Sequence, residues 1–491
     1  MRRALAALVV SLAGGPALGQ DVTLTARDGS IEIAGTLLSF DGEFYRVDTA
    51  FGALTVDGSG VSCEGPGCPR LTDYLAEIAV VAPAGLSDRL APGLIRAFAA
   101  AEGYVLSTPD VDAGAMVFEL FEPGADAPAG RFTVSTVASA ALDEGRLGAI
   151  ADLALTRSGG PGAEVVALDA LVPLVAVDNR LPALSFADVS DALLGRISDW
   201  SALGGDEIAI VLSLPLPGSP ARDLLAESFP GDWTGAVAVP DPAGVAARDP
   251  FALAFAPLSQ SAGTRAVPLE GPCGIPKAAT PETLKTEEYP LVLPIYLHAR
   301  AGRLPRIGRE FFAFARAPGA QAAVTEAGFV DQTLEIVPFR AQGDRLANAV
   351  LSGAEAAGIA EVQRMVADLR DFGRLTVSFR FRDGSTDLDD HSRSNVALVA
   401  DAIDRGAFDG TDLIVAGFSD GQGDAASNLR LSRQRARAVR EAILAALTPP
   451  ERDAARAMEV RGYGEAAPIA CDDVDWGRHL NRRVEIWVRQ R

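Results

Sequence analysis

Through most of this chain, short apolar runs of strand length alternate with stretches of helical periodicity. Ile78-Ala79-Val80-Val81 precedes a helical stretch from Arg89 to Ala101, and Leu171-Val172-Pro173-Leu174-Val175 is a later run of the first kind. Such alternation dictates layered α/β architecture, because each helix must lay its apolar stripe on a sheet. Between residues 71 and 340 it is long for one domain and suits two lobes. The full 491 residues have room for about three domains, and an apolar content of 48% supplies their cores. With 44 Lys+Arg against 65 Asp+Glu the net charge is −21, which argues against nucleic acid or anionic lipid as a general partner. The excess is uneven: from Arg374 onward 18 Arg balance 19 acidic residues.

The start of the chain has Arg2 and Arg3, an apolar stretch from Ala4 to Ala13 and small residues ending Ala17-Leu18-Gly19. That order predicts a secretory signal over residues 1–19, with a mature protein beginning at Gln20 or Asp21. No Cys follows the site, so the expectation is an exported, soluble protein that is not a lipoprotein. No later apolar run reaches about 18 residues, the length needed to span a bilayer. Cysteine usage fits an oxidising compartment: Cys63 and Cys68 bracket Glu-Gly-Pro-Gly, a turn that brings them within disulfide reach. Cys273 and Cys471 admit two readings, a long-range bond or two buried thiols.

Residues 20–70 read as a small β module. Val22–Thr25, Ile31–Ile33, Phe44–Val47 and Leu54–Val56 are its strands, with Asp28-Gly29, Asp41-Gly42 and Asp57-Gly58 as turns. In the segment 71–340, the stretch Ala183 to Gly205 contains Gly-Arg-Ile-Ser-Asp-Trp200 and then Gly-Gly. Glu288-Tyr-Pro-Leu-Val-Leu-Pro-Ile-Tyr296 and Gly328-Phe-Val330 follow in order. These three stations resemble the phosphate-type periplasmic solute-binding proteins. The resemblance implies a two-lobed, type II periplasmic-binding-protein fold with a ligand cleft.

In that family the oxyanion is held by loop N–H groups, hydroxyls and an Arg, since a desolvated anion needs many donors. The strongest such segment corresponds here to Pro215-Leu-Pro-Gly218-Ser219-Pro220-Ala221-Arg222. Pro215 stands at the Arg position, and Pro220 removes an N–H donor. The donors that the resemblance leaves for an anion are Ser87, Thr156, Arg157, Ser158, Ser219 and Arg222, which also read as ordinary loop residues. The expectation is a degenerate module with weak phosphate binding.

Residues 341–373 read as a helical connector, with Leu346, Val350, Leu351, Val362, Met365, Val366 and Leu369 at spacings of three and four. Beyond it, in residues 374–491, Val377, Phe379 and Phe381 alternate as a strand. A helix from about Ser392, the strand Leu413–Phe418, a helix with Ser432 as a candidate N-cap, and two further strands complete a β-α-β-α-β-β order. Helices on one face of a sheet are expected. Gly417-Phe-Ser-Asp420, Gly423, Asn428, Leu431-Ser432, Arg435-Ala436, Gly462-Tyr-Gly-Glu465, Pro468 and Asn481-Arg482-Arg483-Val484 resemble the OmpA-type C-terminal domain. The resemblance implies an α/β sandwich that binds peptidoglycan non-covalently. Diaminopimelate in a stem peptide ends in an ammonium and a carboxylate on one carbon. A receptor therefore needs a carboxylate and a guanidinium, roles that fall to Asp420 and Arg435, with Arg435 expected in the first turn of its helix. Asn428 orients the loop or adds a bond, and Arg482 or Arg483 supplies a second contact.

His298, His391 and His479 are scattered, and neither a His-Glu-x-x-His, a Gly-x-Ser-x-Gly nor a P-loop motif occurs. No catalytic residue, cofactor or metal is expected. Acidic groups such as Asp387, Asp389 and Asp390 read as solvated loops. The sequence thus points to a periplasmic, wall-associated and outer-membrane-associated binding protein, with peptidoglycan and a small anion as ligands and envelope or ABC-transporter proteins as partners. The alternative is a transport receptor tethered to the wall.

Overall fold

The computed structural model describes residues 21–26, 31–69, 75–109, 114–142, 151–271, 276–300, 304–353, 358–382, 385–449, 457–472 and 475–491. The signal-type segment, Asp28-Gly29 and Cys273 lie outside them. Residues 22–64 form a five-stranded antiparallel sheet in the order Gly52–Asp57, Phe44–Thr49, Glu32–Phe40, Val22–Ala26, Val61–Glu64. Its core is Val22, Leu24, Tyr45 and Val47. Asp41 turns the chain: its Oδ1 accepts from the N–H of Glu43 (3.0 Å) and of Phe44 (2.7 Å), beside Gly42 at φ 90°. The Cys63–Cys68 disulfide closes the end of the sheet. Cys471 is also disulfide-bonded.

The middle segment is built on one long mixed sheet with two cores. Ala76–Ala82, Gly130–Thr136, Ala115–Phe121 and Leu153–Thr156 pack with the helices Ala91–Ala101, Arg306–Phe314 and Pro318–Glu326 around Phe98, Phe132 and Phe311. Val211–Leu214 and Ala252–Pro257 pack with Phe186–Leu193 and Pro242–Arg248 around Leu171, Leu193 and Phe255. Glu164–Ala176 serves both cores and pairs antiparallel with Val292–Ala299. Eleven of its 13 residues are buried, as expected of a strand covered on both faces. Two lobes joined by crossing strands result. The Ser-Asp-Trp turn is a capping device: Asp199 accepts from the Ser201 N–H, and the Trp200 indole donates to Phe251 O at 3.0 Å.

The C-terminal sheet has the order Ile336–Pro338, Gly373–Phe379, Val484–Gln490, Thr411–Gly417, Glu459–Gly462. Strand alternation sorts its residues. Leu375, Val377, Phe379, Val415, Val484 and Ile486 meet the helices Asp390–Asp404 and Ala425–Ala446. Ile414, Ala416 and Trp487 point the other way. There the structure departs from the expected one-sided sandwich: Val362, Met365 and Leu369 of the helix Ile359–Leu369 cover that second face. The second half of the stretch that reads as a connector is thus a layer of this unit, while Val350 and Leu351 of the first half are exposed.

The same second face also meets the lobes. Arg374, 1% exposed, donates to Glu288 (2.7 Å) and Glu282 (2.9 Å), and Trp476 stacks on Phe186 with centroids 4.6 Å apart. Arg380 donates to the carbonyls of Glu287, His479 and Leu480. His391 Nδ1 lies 3.5 Å from Glu287. Burial alone would lower the His391 pKa, but the Glu287 carboxylate outweighs it and holds the pKa above its ordinary value. A raised folded-state pKa gives stability that is complete below the unfolded value of about 6.5 and lost as pH rises through the folded value. We expect the melting temperature of the full chain to fall as pH rises above neutral, and to fall less in His391→Gln. Parallel melting curves for the two proteins would refute this.

Candidate functional site

The strand Thr411–Gly417 ends against the long helix so closely that a Cβ on Gly417 would sit 2.0 Å from Ser432 O. Phe418 N–H then donates to Arg483 O and Ser419 N–H to Gly464 O, which fixes the path into Asp420. Asp424, not Ser432, caps the next helix, accepting from the Ser427 N–H at 2.9 Å. Ser432 is buried mid-helix and accepts from the Gly464 N–H. Arg435 therefore stands in the third turn rather than the first. The early start was legible in Gly-Asp-Ala-Ala, where Asp424 is a cap of the standard type.

Asp420 (8% exposed) and Arg435 (4% exposed) share one buried corner. Asp420 is paired with Arg482, Nη1 to Oδ2 at 3.0 Å. Arg435 lies over the ring of Phe381, 5.2 Å from its centroid, and its Nε and Nη1 have no hydrogen-bond partner among the described residues. Burial, and then the nearby Arg482, lower its pKa; Asp420 opposes them. A buried guanidinium with idle donors is costly to keep without a partner. Asn428 has a supporting place, since its amide donates to Gln422 O at 3.0 Å and to Glu465. Arg483 is wholly internal, bonded to Glu485 and Ala467 O and stacked on Phe418. Residues that sequence reasoning passed over also shape the corner. Asp472 accepts from the Gly421 N–H, Asn481 ties Ile469, Ala470 and Asp472 together, and Phe381 floors Arg435.

A model of the OmpA family matches residues 380–482. The outer-membrane lipoprotein YfiB of Pseudomonas aeruginosa is 32% identical over 140 residues, 28% of this chain and 79% of that protein. The chain belongs to the OmpA family. Outer membrane porin F of Pseudomonas fluorescens is 32% identical over 133 residues, 27% of this chain, and the chain spans 35% of the porin's length. An ABC-type phosphate transport receptor from Vibrio cholerae is similar in structure at 15% identity and a TM-score of 0.37, over 52% of this chain and 99% of its own.

In this OmpA-family chain most of the six residues expected as donors in the lobes make contacts within the protein, while Arg157 Nη1 and Arg222 Nη1 have no hydrogen-bond partner among the described residues. Ser87 Oγ shares a 2.7 Å hydrogen bond with Thr136, and Thr156 donates to Ser158 O and meets His298. Arg157 is paired at 3.2 Å with Asp169, whose carboxylate also accepts from the Ser259 hydroxyl and N–H. Ser219 caps the helix Pro220–Ser228, and Arg222 stacks on Trp233 at 4.3 Å. Arg89 donates to Ser259 O and Ala327 O, fastening one lobe to the other. Each lost charge-assisted donor weakens anion binding by roughly tenfold or more. Calorimetry on the full chain should therefore show phosphate binding weaker than about micromolar; tighter binding would overturn this. Among the described residues no group of three or more His, Cys, Asp or Glu is placed to hold a metal, and no helix is long and apolar enough to cross a membrane.

Proposed function

We propose that this chain binds peptidoglycan non-covalently in the cell envelope, with Asp420 and Arg435 taking the zwitterionic end of diaminopimelate. The observation behind this is Arg435, buried beside a carboxylate with Nε and Nη1 unpartnered among the described residues. The ligand carboxylate would satisfy those donors and its ammonium would meet Asp420, which Arg482 holds in place. The outer-membrane names of its relatives support an envelope location. In this reading the lobes are a degenerate solute-binding module, displayed on the wall-binding domain. A wall-tethered transport receptor fits less well, because Asp169 already occupies Arg157 and Pro220 stands at the helix start. The test is co-sedimentation with purified sacculi. Binding to diaminopimelate-type wall that drops on lysine-type wall supports the assignment, and equal binding to both removes the role of the free carboxylate.

A further inference from the structure

The chain has four cysteines. Cys63 and Cys68 are bonded to each other and Cys471 is also disulfide-bonded, so Cys273 is the partner left for it within the chain. Contacts on either side bring the two segments together. Leu269–Glu270 pairs antiparallel with Pro276–Lys277, and Gly271 begins the connection between them. A Cβ on Gly271 would sit 2.9 Å from the ring of Trp476, which follows Cys471 by five positions. Cys471 in turn stands in the loop that supports the Asp420 corner. Gly477 packs on Cys471 O with no room for a Cβ, and Arg478 donates to Asp472 O at 2.6 Å. The Asn481 amide donates to Ala470 O at 2.7 Å and to Asp472 at 2.8 Å. From this loop Asp472 accepts from the Gly421 N–H at 2.7 Å, and Arg482 pairs with Asp420.

We infer that a Cys273–Cys471 disulfide joins the lobes to the C-terminal domain and positions the loop that holds Asp420 and Gly421. The bond restrains the backbone of Asp472 beside it, and Asp472 fixes Gly421, the residue after the carboxylate assigned to the ligand ammonium. A cross-link between segments so far apart in sequence also restricts the unfolded chain, which favours the assembled form. Its effect on wall binding rests on the peptidoglycan reading; the bond itself does not.

The bond is tested by peptide mapping of the full chain, alkylated without reduction and digested with trypsin. Cleavage after Arg265, Lys277, Arg461 and Arg478 releases peptides 266–277 and 462–478, expected as one cross-linked species. Dithiothreitol should split it, delivering two electrons and two protons and leaving as its own cyclic disulfide. Separately alkylated peptides, or either one linked to a Cys63 or Cys68 peptide, would overturn the inference. The positioning role is tested by sedimentation with diaminopimelate-type sacculi. Cys273→Ala, Cys471→Ala and the double variant should each bind about threefold to tenfold more weakly than the parent, and to the same degree, because each removes the same bond. Asp472→Ala should weaken binding by a similar factor, with no further loss when combined with Cys471→Ala. A Cys63→Ser/Cys68→Ser variant, which keeps the long-range bond, should bind like the parent. Undiminished binding in the Cys273 and Cys471 variants, or losses that add with Asp472→Ala, would overturn the positioning role. A parent chain that does not sediment at all defeats the peptidoglycan reading and that role with it, while a mapped cross-link still stands.

Discussion

Arg435→Ala should lose sedimentation with diaminopimelate-type sacculi while melting no lower than the parent chain. A charged partner removed from a largely desolvated site costs about 2–5 kcal/mol of binding, about 30-fold or more in affinity. The stability half of the expectation separates a ligand role from a structural one. Were Arg435 a strut between strand and helix, its removal would destabilise the domain. With Nε and Nη1 unpartnered among the described residues, its removal instead relieves a buried charge. Arg435→Lys should recover only part of the binding, since an ammonium cannot reproduce the two-pronged fork. Asp420→Asn should weaken binding less, because its amide oxygen still accepts from the ligand ammonium. Folded Arg435→Ala that sediments like the parent chain would falsify the assignment.

Glu288→Gln should lower the stability of the whole chain steeply. The carboxylate is 4% exposed and meets Arg374 at 2.7 Å, Lys277 at 3.1 Å and Arg345 at 3.7 Å. Burial alone would raise its pKa, but Arg374, Arg345 and Lys277 overwhelm that and hold it well below the usual carboxylate range. Its contribution is therefore present above the unfolded value of about 4.3 and lost as pH falls through the depressed folded value. Breaking such a buried set by removing one member costs about 3–5 kcal/mol, because the remaining charges stay buried without balance. Calorimetric scans should show the main transition shifted down by several degrees and the junction between lobes and C-terminal domain opening first. Arg374→Met in the same background should restore part of the loss by removing one unbalanced cation. An unshifted transition in Glu288→Gln would count against the junction as a unit of stability.

The elements were readable because their signals are local. Val484, Ile486 and Val488 alternate with Glu485 and Trp487, and the two sets meet different layers. The Cys63–Cys68 loop was legible in the same way, from a turn between two cysteines. What the sequence did not reveal is tertiary. Nothing near Arg374 or Arg380 announces that their partners are Glu288 and Glu287, in a segment far upstream. The Asp420–Arg435 corner was legible as a pair of residue types, but the direct partner of Asp420 is Arg482. The donors of Ser87, Arg157 and Ser219 read as open because their competitors, Thr136, Asp169 and the helix start, are contacts or roles that spacing does not encode.

The strand Glu164–Ala176 also governs the order in which the chain can acquire its structure. Its neighbours arrive late: Tyr289 donates to Leu171 O across 118 positions, and Leu168 bridges to Val330. Contacts so distant in sequence are formed only after the entropy of closing long loops has been met, which makes such sheets slow to assemble. A nascent or truncated chain that stops before Val292 lacks the strand on which Leu153–Thr156 and Glu164–Ala176 both pair. Both cores of the middle segment then stand open along a buried, apolar edge. Fragments cut between those strands should collect in aggregates, whereas a chain extended past Val330 has every partner this strand requires.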